Sequence, residues 1–255
     1  GKLGGKELGY ASDLDVIFLY DDAHPDAADL YSRLARKIIT WLTSTTSAGV
    51  LYDIDIRLRP DGASGLLVSS VEAFEHYQHH KAWLWEHQAL TRARFVCGNA
   101  DIGARFEAIR QQVLALPRDS AALGAEVLAM RNKMLESHAA NVEDVKHARG
   151  GIVDVEFIVQ YLVLAHAGQH PALLANSGNI ALLGAAAEAG LIPATLAEAA
   201  RQAYRLYRRL QHASRLDGSD KCSHPPIEAY QQVQALWQNV FATAGEHAEK
   251  PVHFQ

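Results

Sequence analysis

The chain has 255 residues, 49% of them hydrophobic and 21% charged, a composition that excludes a disordered, collagen-like or low-complexity protein. It carries 24 Lys and Arg against 29 Asp and Glu, for a net charge of −5. Acids outnumber bases on both sides of Arg118, so no part has the positive excess of a dedicated nucleic-acid binder. Two cysteines, Cys97 and Cys222, make neither a disulfide framework nor a metal knuckle, and fit a reducing cytoplasm. The longest nearly apolar stretch, Phe157 to Gly168, is too short to span a bilayer and contains Gln160 and His166. No signal-peptide pattern is present. Gly1-Lys2-Leu3-Gly4-Gly5 reads as the interior of a loop without a preceding Met, so a piece of a longer protein is expected.

The first third alternates strand and helix signals. Leu14 to Tyr20 is β-branched and aromatic, bounded by Ser12-Asp13 and Asp21-Asp22, and predicts a strand. Residues 27–42 place Leu30, Leu34, Ile38 and Trp41/Leu42 on one helical face. Val50 to Arg59 predicts a second strand, with Leu51, Asp53, Asp55, Arg57 and Arg59 sharing one side and Pro60 ending it. A short third strand is expected at Leu66 to Val68. Ser69 with Glu72 predicts a capping box for a helix through His80, and Ala89 to Cys97 a fourth strand.

Beyond about residue 101 the strand signals stop. Helical periods recur at 101–115, 120–139, 154–167, 178–190, 194–215 and 227–242, separated by Pro and Gly breaks. The expected architecture is α+β: a small mixed sheet with flanking helices over residues 1–118, followed by an all-helical bundle over 119–255.

Three features carry chemistry. The glycine-rich start, with Lys2 and Lys6, is suited to a phosphate, since glycines allow close backbone approach; an ordinary turn has the same look. Asp13 and Asp15 lie two apart at the mouth of a strand, so both carboxylates face one way, as hard oxygen ligands for Mg²⁺ do; two acids at a fraying strand end have the same spacing. Asp53 and Asp55 form a second pair of the same kind. If the two strands are neighbours, up to four carboxylates share one face, an arrangement that costs several kcal/mol unless cations neutralise it. Three carboxylates suffice for two Mg²⁺ about 3.5–4 Å apart, the arrangement used for in-line nucleotidyl transfer. Arg57 and Arg59 either meet a triphosphate or neutralise the acids.

A Gly-Gly turn, Asp-x-Asp on one strand and a third Asp on a neighbour resemble the DNA polymerase β-like nucleotidyltransferase superfamily. The wording of Gly1 to Asp15 and of Tyr52-Asp53-Ile54-Asp55-Ile56-Arg57-Leu58-Arg59-Pro60 is similar to bacterial glutamine synthetase adenylyltransferase. Trp83 to Arg94 and Lys146 to Phe157, with its Gly150-Gly151-Ile152-Val153-Asp154-Val155-Glu156-Phe157, resemble two later family segments, so the likeness covers nearly the whole chain.

The resemblance implies a nucleotidyltransferase sheet lacking the family's strand before the Gly-Lys-Leu-Gly-Gly turn, which would pair beside Leu14 to Tyr20. It implies two Mg²⁺ on Asp13, Asp15 and Asp55, the last chosen because the family commonly has Glu at the position of Asp53. ATP would lie on Gly4, Gly5, Lys2 and Ser12, with Arg57 and Arg59 as further phosphate contacts. A tyrosine hydroxyl of glutamine synthetase would attack the α-phosphorus and pyrophosphate would leave. Members of the family are bifunctional regulators of nitrogen metabolism, one half adding AMP and the other removing it by phosphorolysis. Glu7-Leu8-Gly9-Tyr10 and Glu86-His87-Gln88-Ala89-Leu90 are closer to the adding half. Glutamine synthetase is the implied partner, with the PII signal protein as regulator; neither nucleic acid nor membrane is expected, and the setting is cytoplasmic. Three alternatives stay open: the removing half, another polymerase β-like enzyme acting on RNA ends or PII, and a catalytically silent regulatory fragment.

Other features are given structural readings. Asp154 and Glu156 point apart on a helix by about 200°, so one of them serves the helix amino-terminus or reaches an active site. Arg201, Arg205, Arg208 and Arg209 are expected on a solvated face opposite Leu196, Ala199, Ala203, Tyr207 and Leu210. The 13 histidines offer no zinc motif, and Trp83 and Trp85 are expected to pack.

Overall fold

The structure, a computed structural model, describes residues 1–10, 12–137, 141–175, 178–219 and 221–245. Residues Gly1–Leu114 and Ala115–Gln255 form two compact units.

The first unit holds six short strands among its described residues: β1 (Leu14–Asp15), β2 (Phe18–Tyr20), β3 (Thr45–Thr46), β4 (Gly49–Val50), β5 (Ile54–Asp55) and β6 (Val68–Ser70). Its helices are α1 (Ala27–Thr43), α2 (Val71–His80), α3 (Leu84–Leu90) and α4 (Ala100–Leu114). The predicted strand at Leu14 to Tyr20 is present as two pieces, because it changes partner along its length. β1 pairs in parallel with β5, and β2 in parallel with β6. The second predicted strand is much shorter than expected. Its start is the outgoing arm of a β3–β4 hairpin, and beyond Asp55 the chain turns. Arg59 enforces that turn by donating to the carbonyls of Ile56, Ala63 and Gly65.

Ser70, not Ser69, caps α2: its Oγ accepts from the Ala73 N–H at 3.1 Å. No strand forms at Ala89 to Cys97, since α3 runs through Leu90 and Thr91 closes it by donating its hydroxyl to the Gln88 carbonyl. At the other end of α3 the Glu86 carboxylate accepts from the Trp83 N–H at 2.8 Å, and Trp83 and Trp85 are exposed rather than packed. The helix buries Glu86, Gln88 and Leu90 instead.

The stripe expected to seat α1 is split, with Ile38 and Leu42 half-buried and the rest facing outward. Leu30, Leu34 and Trp41 are exposed, while Ala27, Ser32 and Ala35 are buried. Small side chains let this helix approach β6 closely, and the larger residues are displaced to the flanks and the outside. Val68, Val71, Phe74, Phe106, Ile109 and Val113 form the core of the unit, and a cavity of about 340 Å³ flanks Leu14 to Leu19.

The second unit contains α5 (Ser120–Ser137), α6 (Ile152–His166), α7 (Asn179–Glu188), α8 (Ala194–Leu216) and α9 (Ile227–Gly245). The helical periods place all five, although positions 138–139 of the first lie outside the described residues. α6 is apolar around its circumference and buries Ile152, Val155, Ile158, Leu162 and Val163 among others, as befits a helix packed against all four of the rest. α8 turns a face of Ala197, Ala200, Ala203, Tyr204 and Tyr207 inward, offset from the expected one, and leaves Arg205 and Arg209 exposed.

A buried polar network fixes the entry to α6. Asp154 accepts from Arg131 Nε and from the Gly150 N–H, and Arg131 Nη2 also donates to the His147 carbonyl at 2.8 Å. Tyr207 donates its hydroxyl to the Gly150 carbonyl at 2.8 Å, and burial pushes that phenol far above its usual range. Gly150 has φ +80°, and a Cβ there would come within 2.3 Å of the Tyr230 carbonyl oxygen, so the Gly-Gly signature is a requirement of close packing. Asp154 is thus committed to the ion pair and the turn.

Candidate active site

The parallel pairing of β1 with β5 builds the site. Leu14 N–H donates to the Asp53 carbonyl at 2.8 Å and Val16 N–H to the Asp55 carbonyl at 2.9 Å, which sets Asp15 directly opposite Asp55. Asp13, two residues before Asp15, shares its side of the chain. The result is a cluster in which one oxygen from each of Asp13, Asp15 and Asp55 lies within 4.8 Å of the others. Asp53 contributes its backbone to the ladder while its side chain is exposed and outside the cluster.

The electrostatics are uneven. Burial pushes the Asp15 carboxyl up, with Asp13 and Asp55 adding to the rise and Arg92 opposing it. Asp55 is held below the usual range, chiefly by the hydrogen bonds from the Arg57 side chain. Arg57 is directed to Asp55, whereas Arg59 is consumed in the 56–65 turn.

The glycine-rich start forms a compact turn, with Gly5 N–H donating to the Gly1 carbonyl at 3.1 Å and Glu7 N–H to the Lys2 carbonyl at 2.9 Å. Gly4 lies so close to Arg92 that a Cβ would come within 1.9 Å of its carbonyl oxygen. Ser12 is buried, and its Oγ accepts from the Gly9 N–H at 3.1 Å, so the hydroxyl oxygen shapes the approach to Asp13. Lys2 is half-buried in the turn.

Arg92 and Arg94 received no role from sequence reasoning. Arg94 donates to the Leu3 carbonyl at 3.3 Å, and Arg92 lies 3.8 Å from the Glu7 carboxylate. Both anchor the glycine turn, which places the Trp83–Arg94 segment against it. The signal was the recurrence of Arg92 and Arg94 in that segment, but nothing in their spacing told which backbone they would meet. Arg110 holds the segment from behind by donating to the carbonyls of Leu90 and Thr91 at 3.0 and 3.1 Å.

Hard carboxylate oxygens at this spacing, on a half-buried surface that pushes one of them toward protonation, fit a divalent cation such as Mg²⁺. Among the described residues it is the one cluster of three or more candidate metal ligands.

Residues 1–109 match the family model for glutamate-ammonia ligase adenylyltransferase. The chain is 66% identical over 246 residues to a bifunctional glutamine synthetase adenylyltransferase/adenylyl-removing enzyme of Chromobacterium violaceum, covering 96% of this chain and 28% of that protein. Nearly the whole chain is thus similar to part of the glutamine synthetase adenylyltransferases. Proteins of the same name from Aromatoleum aromaticum and Neisseria meningitidis serogroup A are 59% and 56% identical, with 96% and 97% of this chain and 26% and 28% of theirs covered. The chain therefore spans about a quarter of the length of these adenylyltransferase relatives. Residues 123–236 also match the model for GlnD PII-uridylyltransferase, so the helical unit is similar to part of a second nucleotidyltransferase family. No helix among the described residues is long and apolar enough to cross a membrane.

Proposed function

We propose that this chain is a Mg²⁺-dependent nucleotidyltransferase unit that transfers AMP from ATP to a tyrosine hydroxyl of glutamine synthetase, and so regulates nitrogen assimilation in the cytoplasm. The observation that carries the reading is the convergence of Asp13, Asp15 and Asp55 across a parallel strand pair, in a chain whose relatives are named as adenylyltransferases.

Asp13, Asp15 and Asp55 would hold the cations. When bound, Mg²⁺ supplies charge neutralisation and Lewis-acid polarisation of phosphate oxygens. The turn at Gly4 and Gly5, with Lys2, receives the triphosphate, and Arg57 is within reach of its charge. The phenolic oxygen forms a bond to the α-phosphorus as the bond to the bridging β-phosphate oxygen breaks, and pyrophosphate leaves. A tyrosine pKa near 10 stands about three units above cytoplasmic pH, so the proton needs an acceptor, and a carboxylate of the cluster takes it. The partner surface is glutamine synthetase itself, with PII as a regulator whose docking site is unassigned.

The test is a pair of incubations: unmodified glutamine synthetase with α-labelled ATP and Mg²⁺, and adenylylated glutamine synthetase with phosphate. Label transfer in the first alone is the expected result. ADP release in the second alone would assign the chain to the removing activity that its relatives' names also carry. Activity in neither would make it a catalytically silent fragment.

A further inference from the structure

Asp55 is already occupied. The Arg57 N–H donates to its Oδ1 at 2.8 Å, and Arg57 Nε lies 3.0 and 2.9 Å from the two carboxylate oxygens, with Nη2 adding a further bond to Oδ2. The Arg57 side chain is nevertheless 79% exposed. Among the described residues its guanidinium bonds to Asp55 alone. Arg59, by contrast, cannot leave its three carbonyls without undoing the turn that follows β5. One arginine of the pair is fixed and the other is held at a single, solvent-accessible point.

We propose that Arg57 is an exchangeable counter-charge: it pairs with the third carboxylate until a divalent cation arrives with a nucleotide, and its guanidinium then moves from Asp55 to the triphosphate. This rests on the reading of Asp13, Asp15 and Asp55 as cation ligands. A guanidinium fork and a divalent cation compete for the same carboxylate lone pairs, so one must yield. The planar fork fits a phosphate as it fits a carboxylate, and ATP brings that second anion as the cation takes the first. Arg57 thereby opposes cation binding without nucleotide and supports nucleotide binding with it. By linkage the two ligands help each other to bind. Arg57 acts on the cation site as a positioning residue.

The experiment measures Mn²⁺ binding to nucleotide-free protein by electron paramagnetic resonance, and Mg²⁺-ATP binding by calorimetry, in the unaltered chain and in Arg57→Gln and Arg57→Lys. Mn²⁺ is expected to bind Arg57→Gln about two- to fivefold more tightly, the scale of losing an exposed ion pair. Mg²⁺-ATP is expected to bind it about tenfold or more weakly, the scale of a charge-assisted hydrogen bond to phosphate. Arg57→Lys, with the charge but no fork, should lie between in both. Changes of opposite sign are the signature, since a general loss of structure weakens both ligands. Unchanged Mn²⁺ affinity in Arg57→Gln, or weakening of both ligands, overturns the exchange. Asp15→Asn is the control: if it leaves Mn²⁺ binding to the otherwise unaltered chain intact, the cation-site reading fails and the exchange fails with it.

Discussion

Asp15→Asn is expected to lower AMP transfer by about 10²–10⁴-fold, the scale of losing several kcal/mol of cation-dependent charge stabilisation. The same substitution should leave the metal-free protein as stable as before, or more so. Burial first, then Asp13 and Asp55, raise the Asp15 carboxyl above its ordinary value. An acid whose folded pKa exceeds its unfolded one favours folding below the unfolded value, and loses that contribution as pH rises through the folded value. At neutral pH the charged Asp15 therefore works against the fold, and Asn removes the charge. The gain should shrink as the pH is lowered into the ordinary aspartate range, where Asp15 is protonated in the folded chain and increasingly so in the unfolded one. Thermal melts in a chelator at pH 7 and near pH 4, beside the label-transfer assay, check both halves. An Asp15→Asn protein that is inactive because it has melted would contradict this account.

Arg131→Met is expected to be the most damaging single change to the helical unit, destabilising it by about 3–5 kcal/mol. Arg131 and Asp154 are 2% and 8% exposed at their side chains. Removing the cation leaves a carboxylate stranded in the interior, and the carbonyls of His147 and Ala148 lose a donor as well. The loss is mainly the cost of the unpaired charge, so Arg131→Met with Asp154→Leu should recover much of it. Urea melts of the two single variants and the double variant close the cycle. Full additivity of the singles would refute the coupling.

These positions show where the sequence was informative. The helices of the second unit could be located because α6 and α8 carry long apolar periods bounded by Gly and Pro, although the buried face of α8 is offset from the period's own. The strands were harder. β1 and β5 have two residues each, too few for alternation to fix their ends, and what defines them is the ladder from Leu14 to Asp53 and from Val16 to Asp55. The outward part of the α1 stripe has a physical reason. Leu30, Leu34 and Trp41 have the right spacing for a core face, but close approach to a strand favours Ala27 and Ala35, and spacing does not measure that distance.

At the candidate site, same-side placement of Asp13 and Asp15 followed from the two-residue period. The preference for Asp55 over Asp53 as a ligand rests on the family resemblance, and of the two it is the Asp55 carboxylate that lies with Asp13 and Asp15. The different fates of Arg57 and Arg59 were not legible, because they depend on a turn that begins only after Asp55. Glu86 is a residue whose place in the Glu86-His87-Gln88-Ala89-Leu90 stretch gives no hint of its role. It is a buried acid that receives the Tyr77 hydroxyl at 3.0 Å and caps α3.

The hairpin of β3 and β4 has a consequence for how this chain can vary. Tyr52 N–H donates to the Leu42 carbonyl at 3.0 Å, closing the backbone at the hairpin's base just before β5. Everything between is a side loop off the main path, with its tip at Ser47 and Ala48 exposed. Extra residues spliced in at that tip lengthen the excursion without shifting the alignment of residues 54 and 55 on residues 14 and 15. One residue gained or lost between Tyr52 and Ile54 would instead turn residue 55 to the opposite side of the strand. Lineages can therefore change length freely at the first position and hardly at all at the second.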